Sequence, residues 1–320
     1  MMLRLGLFLL CSYFLTPLRA QIRILPLGNS ITQGRTAYTS YRQPLWQMFV
    51  EAEIAVDFVG SVNAPFLCEE EAPVGFDADH EGHWGYRIDQ ILSHDGMHQN
   101  CIAASEQGGL AQWLQAYEAD IALIHLGTND LFQKSWFESS TSLLNTTLAE
   151  LDEVITLLRK DNPRITLYLA QLIPVNDPST NALVISYNQA LKRFAQQRQS
   201  LQSPLILVDH YSGFDWEQDT YDGVHPNAVG AQKMANRWFI AVTSPLSAAA
   251  RNAQLSHWQA GVWIPTTLRS ANSLTVLNEK GKEIFVAPQP PSRIDLSGWP
   301  SGLYYFIFGG EIPVIRKIWL

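Results

Sequence analysis

Cysteine, basic charge and long apolar runs are all scarce in this chain, and each scarcity removes a class of protein. Three cysteines in 320 residues rule out a fold held by a dense disulfide framework. Cys11 falls in an apolar amino-terminal stretch, which leaves Cys68 and Cys101. They either pair in an oxidising compartment or stay as two buried thiols, and the sequence does not choose. Lysine and arginine number 22 against 30 aspartates and glutamates, a formal charge of -8. So acidic a chain lacks the electrostatic footprint for nucleic acid or an anionic membrane surface. The stretch between Arg4 and Arg19 holds fourteen residues, short of the roughly 20 that cross a bilayer. Internal repeats and low-complexity tracts are missing too, so neither a solenoid nor a disordered segment is expected.

What is present is an ordinary globular composition, 47% hydrophobic and 16% charged, in a chain too long for one small domain. The opening "MMLRLGLFLLCSYFLTPLRA" sets Arg4 before an apolar core and Ala20 before polar Gln21, the pattern of a secretory signal peptide over residues 1–20. Leu10 stands before Cys11 where a lipoprotein signal takes a small residue, so secretion is expected and a lipid anchor is not. Removal of this segment, with two basic and no acidic residues, takes the charge from -8 to -10.

Over residues 21–245, apolar runs alternate with helical patterns. The runs are "IRILPLG" from Ile22, "VDFVG" from Val56, "IALIHLG" from Ile121, "ITLYLA" from Ile165 and "LILVD" from Leu205. Leu144, Leu148, Leu151, Ile155 and Leu158 recur at helical spacing, as do Ala231, Met234, Trp238 and Val242. Continuous apolar strands alternating with amphipathic helices predict a parallel five-stranded sheet covered on both faces. Over residues 246–320 the texture changes to short runs, "SLTVLN", "EIFVA" and "LYYFIF", separated by Gly, Pro and Ser. That pattern predicts a small all-β sandwich.

The residues suited to chemistry gather at one edge of that sheet. "ILPLGNS" ends a strand on Gly28-Asn29-Ser30; "HEGHWGYRI" follows the second strand, "GTND" caps the third, and "DGVHP" lies beyond the fifth. The carboxyl edge of a parallel sheet is where ligands bind. A serine hydroxyl is a poor nucleophile without a base, and histidine is a good base when an acceptor holds its second ring nitrogen. Asp222 and His225, three residues apart, supply both from one loop and can serve Ser30. The oxyanion of an acyl transfer needs fixed donors, for which the amides of Ser30 and Gly85 and the Asn129 side chain are candidates. Each piece alone has a plain structural alternative: a helix cap for Ser30, a turn for Asn129, a helix entrance for "DGVHP". Their joint order carries the reading.

"GNSIT", "HWGYR", "GTND" and "DGVHP" resemble, in order, the four blocks of the SGNH or GDSL hydrolases, over about Ile22 to Ala241. The resemblance implies a three-layer α/β/α, flavodoxin-like catalytic domain that uses no cofactor or metal. Ser30 would be the nucleophile, His225 the base, Asp222 its orienting acid, and Ser30, Gly85 and Asn129 the oxyanion donors. Asn29 departs from the family's usual Asp. "SYRQPLWQMFVEAEIAVDFVGS" followed by "DADHEGHWGYRIDQI" is similar, more narrowly, to carbohydrate esterase family 3. An acetylated polysaccharide such as acetylated xylan is the implied substrate. Trp84 and Tyr86 are the candidate sugar contacts, with Trp136 and Trp216 near the same loops; core packing is the plain alternative for each. A lipolytic or aryl esterase, and a glycan-binding protein with a vestigial site, are the other functions kept open.

"HEGH" is one residue short of a zinc-binding HExxH helix and Gly82 disfavours a helix there, so no zinc site is read. "CEEEAP" with Asp77 and Asp79 could hold Ca2+ but fits a solvated loop. "SLTVLNEKGKEIF", "IDLSGWPSGLYYFIF" and "RKIWL" resemble the C-terminal sorting domain of the type IX secretion system, an Ig-like sandwich. The resemblance implies the secretion machinery as a partner and a location outside the cell or on the outer-membrane surface of a Gram-negative bacterium. A carbohydrate-binding module displaying Trp258, Trp263 and Trp299 is the alternative. A monomer is expected.

Overall fold

The computed structural model describes residues 21–35, 40–64, 75–93, 108–134 and 138–244, and in the carboxyl-terminal region the strands between Gly261 and Trp319 with a few flanking residues. The signal-like segment, Cys68, Cys101, Glu69 to Glu71, Trp136 and Trp258 lie outside the described residues.

Five parallel strands form the main sheet: β1 (Ile22–Gly28), β2 (Val56–Phe58), β4 (Ile121–His125), β5 (Thr166–Ala170) and β6 (Leu205–Val208), in the order β2-β1-β4-β5-β6. These are the five predicted strands. A sixth, two-residue strand, β3 (Glu81–Gly82), pairs with the end of β1. It was not predicted, because Glu and Gly in a pair carry no apolar signal. The chain departs from β1 toward β2 on one side and is flanked by β4 on the other, so the end of β1 is the switch point of a doubly wound sheet.

Helices cover both faces, which is why β4 and β5 are buried at all five positions. On one face Leu25, Ala122 and Ile124 meet α3 (Ile88–Ser93), α4 (Leu110–Trp113), α6 (Ser140–Asp161) and α7 (Pro178–Gln197). On the other, Ile24, Ile121 and Leu123 meet Leu45 and Phe49 of α2 (Arg42–Glu51) and Met234 and Trp238 of α9 (Ala228–Thr243). Each such fully buried aliphatic side chain contributes about 1.5 to 3 kcal/mol.

The helix starts are set locally. Asp177 accepts from Thr180 N at 2.7 Å with Pro178 in the first turn, and Asn227 accepts from Val229 N and Gly230 N at 2.9 and 3.1 Å. The second cap fixes where α9 begins and so where the loop before it ends. Among the described residues no helix is long and apolar enough to cross a membrane.

The described strand pairs of the carboxyl-terminal region are all antiparallel. β8 (Ser273–Asn278), β9 (Glu283–Ala287), β11 (Leu303–Gly309) and β12 (Val314–Trp319) form one sheet, and β7 (Gly261–Trp263) pairs with β10 (Arg293–Asp295). Leu274, Val276, Ile294, Tyr304 and Phe306 are among its buried residues. Trp299, one of the candidate sugar contacts, packs 5.1 Å from Tyr304 between ring centroids.

Candidate active site

β1 ends at Gly28, and the next two residues begin a one-turn helix, α1 (Ser30–Gln33), with Asn29 as its cap. Asn29 Oδ1 accepts from Ile31 N at 3.1 Å, the same service an aspartate would give. Behind the turn, Arg42 is buried at 5% exposure and donates to the carbonyls of Thr32 at 2.8 Å, Gln33 at 3.0 Å and Ala78 at 2.5 Å. Burial lowers its pKa to about 10, so it stays charged at neutral pH. The guanidinium therefore ties the far end of α1, whose last carbonyls have no helical partner, to the Ala78 segment. Ser30 itself is 6% exposed.

The loop between α8 (Trp216–Asp219) and α9 brings His225 to that serine. His225 Nε2 lies 2.9 Å from Ser30 Oγ, and His225 Nδ1 lies 2.7 Å from Asp222 Oδ2. The carboxylate acceptor places the imidazole proton on Nδ1, which leaves Nε2 to accept from the serine hydroxyl. Asp222 Oδ1 also accepts from Val224 N at 3.0 Å and His225 N at 2.8 Å. Burial pushes the Asp222 carboxyl up, but these hydrogen bonds and the neighbouring imidazole outweigh it and hold it below the usual carboxylate range. Gly223 allows the tight turn: its φ is +88°, and a Cβ there would come within 2.3 Å of the Asn176 side chain.

The segment from His80 to Tyr86 is stitched to both sides of the sheet end. Glu81 and Gly82 pair with Leu27 and Gly28, and His83 N donates to Gly28 O at 3.1 Å. Trp84 N donates to Gln33 Oε1 at 2.8 Å. From α5 (Thr128–Lys134), Asn129 Nδ2 donates to Tyr86 O at 2.8 Å and Gln133 Nε2 to Gly85 O at 2.9 Å. Gly85 holds φ +76°, a conformation that favours glycine. Among the described residues nothing takes the amide hydrogen of Ser30 or Gly85. The expected donor residues thus belong to connected segments, with Asn129 one hydrogen bond from the Gly85 loop.

Under this loop sits a second carboxylate and imidazole. Glu81 and His83 are buried, and His83 Nε2 donates to Glu81 Oε1 at 2.7 Å. Ser61 Oγ and N reach the same carboxylate at 2.6 and 3.0 Å, and Tyr117 OH at 2.5 Å. The His83 ring stacks on Trp113 at 4.3 Å and on Tyr86 at 5.2 Å.

An open cleft lies over Ser30, lined also by Ile31, Gly34, Arg35, Ser40, Trp84, Tyr221, His225 and Pro226. Trp84 stacks on His225 with 4.8 Å between centroids and 14° between planes, and Tyr221 lies 5.7 Å from the same ring. Trp84 is at the cleft as expected. Tyr86 is not: at 1% exposure it belongs to the helix-covered core, and the expectation that it stacks on sugar is corrected. The Trp-Gly-Tyr turn sends the two neighbouring aromatics in different directions. Trp216 opens α8 and does not line the cleft.

Four lining residues, Gly34, Arg35, Ser40 and Tyr221, were not singled out from the sequence. Arg35 and Ser40 follow the serine turn and reach the cleft only through the fold, whereas Tyr221, directly before Asp222, was within reach as a large aromatic beside the acid. In the acidic stretch that could hold Ca2+, Asp77 accepts from Phe58 N at 2.7 Å and Asp79 N at 3.3 Å. Asp89, Asp130 and Glu150 also approach one another, with Arg87 bonded twice to Asp89 at 2.9 and 2.8 Å and Asp130 accepting from Ile88 N.

The family model of the GDSL-like lipases and acylhydrolases matches residues 27–233. A multidomain esterase of Ruminococcus flavefaciens is 30% identical over 237 residues, which cover 71% of this chain and 29% of that esterase. The chain thus spans less than a third of that relative's length. Among solved structures, an acetyl esterase mutant with acetate ion is similar at 26% identity and a TM-score of 0.56, covering 73% of this chain and all of that one. A carbohydrate esterase of family 3 from Talaromyces cellulolyticus is similar at 27% identity and a TM-score of 0.56, covering 72% and 99%. The matched residues run from the end of β1 into α9, and with the serine, imidazole and carboxylate joined in series there, this chain belongs to the GDSL-like lipase/acylhydrolase family.

Proposed function

We propose that the protein is a secreted serine esterase that removes acetyl groups from a polysaccharide such as acetylated xylan. The observation that carries the chemistry is the unbroken series Asp222 Oδ2, His225 and Ser30 Oγ, at 2.7 and 2.9 Å. Ser30 Oγ attacks the ester carbonyl carbon while its proton passes to His225 Nε2, and Asp222 steadies the imidazolium. The Ser30 and Gly85 amides and Asn129 Nδ2 hold the negative oxygen, each donor typically worth about 3 to 4 kcal/mol. Collapse breaks the bond to the sugar oxygen, which leaves with the proton from His225. Water, deprotonated by the same nitrogen, then attacks the acetyl carbon, releases acetate and restores the serine.

The acetyl and carbohydrate parts of this reading are supported by the names of the similar structures, an acetyl esterase and a carbohydrate esterase of family 3. Residues 1–20 would direct export, residues 21–245 would carry the chemistry, and residues 246–320 would engage the secretion machinery and leave the mature protein outside the cell or at the outer-membrane surface. The decisive experiment is acetate release from acetylated xylan by the mature protein beside Ser30→Ala. Release from the wild type that falls at least a thousandfold in the variant supports the reading. Preference for long acyl chains would instead mark a lipolytic esterase. Export that survives deletion of residues 250–320 would remove the sorting role.

A further inference from the structure

Arg35 is the one lysine, arginine or acidic side chain lining the cleft among the described residues. Its guanidinium carbon lies 6.0 Å from the centre of the Trp84 ring. An arginine stacked on an aromatic face is held flat by the ring while the N–H edges of its planar fork stay available to an anion in the plane. Four other described arginines meet carboxylates: Arg23 with Glu118 and Asp120, Arg87 with Asp89, Arg198 with Asp152, and Arg237 with Asp209. Arg35 has no ion pair or side-chain hydrogen bond among the described residues, although the chain carries 30 acidic side chains to 22 basic ones.

Ester hydrolysis does not require this cation. The oxyanion is served by the serine turn, the Gly85 loop and Asn129, and proton transfer by His225. A half-buried arginine beside the reacting serine, with no ion pair among the described residues and its guanidinium carbon 6.0 Å from the ring that stacks on the base, is thus placed to read what is attached to the ester. We propose that the cleft selects acetyl esters on a polysaccharide that carries carboxylates, with Arg35 pairing, fork to carboxylate, with a uronic acid beside the acetylated sugar. This deepens the esterase reading and rests on it. A carboxylate fits the fork with two parallel N–H···O bonds, a geometry a neutral xylose hydroxyl cannot match. The partly open setting also makes the pairing sensitive to salt.

The test compares kcat/KM for acetate release from an acetylated oligogalacturonide and from an acetylated neutral xylo-oligosaccharide of equal length, in wild type, Arg35→Gln and Arg35→Lys. The wild type should favour the acidic substrate at low salt. Arg35→Gln should lower that preference about tenfold, a loss near 1.4 kcal/mol. Arg35→Lys, which keeps charge but loses the fork, should fall between, and 0.5 M NaCl should shrink the wild-type preference. A wild type that treats both substrates alike, or an Arg35→Gln variant with the wild-type ratio, overturns the proposal. A second arm measures binding of the same two oligosaccharides to Ser30→Ala protein by calorimetry. Tighter binding of the acidic one, lost in Ser30→Ala/Arg35→Gln, supports the Arg35 assignment even if no ester is turned over. In that case the esterase reading alone has failed. Equal binding of the two overturns the Arg35 assignment whatever the turnover.

Discussion

Two carboxylate and imidazole pairs lie within one loop of each other in this protein, and only one is built to react. Asp222 and His225 sit at the cleft, with the Asp222 side chain 42% and the His225 side chain 19% exposed, and the free nitrogen of the imidazole faces a hydroxyl. Glu81 and His83 have the same chemistry at the same 2.7 Å spacing, yet they are 0% and 2% exposed. The described side chains that bond or stack on that second pair are donors or rings: Ser61, Tyr117, Trp113 and Tyr86. The difference teaches that a hydrogen-bonded acid and imidazole become a base only where a substrate proton can reach the second nitrogen. Where both are enclosed, they act as a clasp, here for the loop that carries Gly85.

The two pairs should come apart under mutation. Asp222→Asn should keep the fold and lower kcat on the order of 10^3 to 10^4-fold, because the imidazole loses the acceptor that fixes its tautomer. Steady-state kinetics with a melting curve as control reads this, and a mild loss of rate would undo the assignment of the outer pair. Glu81→Ala should do the reverse: it strands His83, Ser61 and Tyr117 in a buried site and should cost about 3 to 5 kcal/mol of stability. Thermal melting would show it, and a variant as stable as the wild type would refute the clasp.

A third kind of histidine sharpens the comparison further. His125 and His210 are fully buried, with rings 6.1 Å apart and no hydrogen-bond partner for either ring among the described residues. Burial lowers the pKa of His125 from its ordinary 6.5 to about 4, and burial, with His125 and Arg237 nearby, also holds His210 well below 6.5. The unfolded chain takes up protons on these rings below about pH 6.5 while the folded one refuses them. Stability is thus intact above pH 6.5 and is lost as pH falls toward 4, by up to roughly 3 kcal/mol for a ring shifted this far. Melting temperatures across pH 7 to 4 should fall accordingly, and the slope should flatten in His125→Gln. An unchanged slope would assign the acid sensitivity elsewhere.

Much of this was legible from sequence because strand periodicity does two things at once. It shows where a buried strand lies and where its carboxyl edge must be, and so places Ser30, Gly85, Asn129, Asp222 and His225 together from the sequence alone. Burial of single side chains was less legible. Trp84 and Tyr86 look alike in "HWGYR", but the left-handed turn at Gly85 leaves one at the cleft and one in the core. "HEGH" was weighed only as a metal motif, since its spacing does not reveal that Ser61 and Tyr117, distant in sequence, close around the glutamate. Arg35 and Arg42 were silent for the same reason: their partners are set by the path of the chain after Ser30, not by their neighbours in sequence.

On the polysaccharide proposed as substrate, the open cleft over Ser30 has one more consequence, for how the protein would travel along the polymer. The space over Ser30 is continuous with open solvent, and its described lining comes from the serine turn, Trp84 and the loop that carries His225. A site of that shape would take an interior residue as readily as a terminal one. It would let go of the strand after each turnover, so removal should be scattered along the backbone in single encounters and not progress in order from an end.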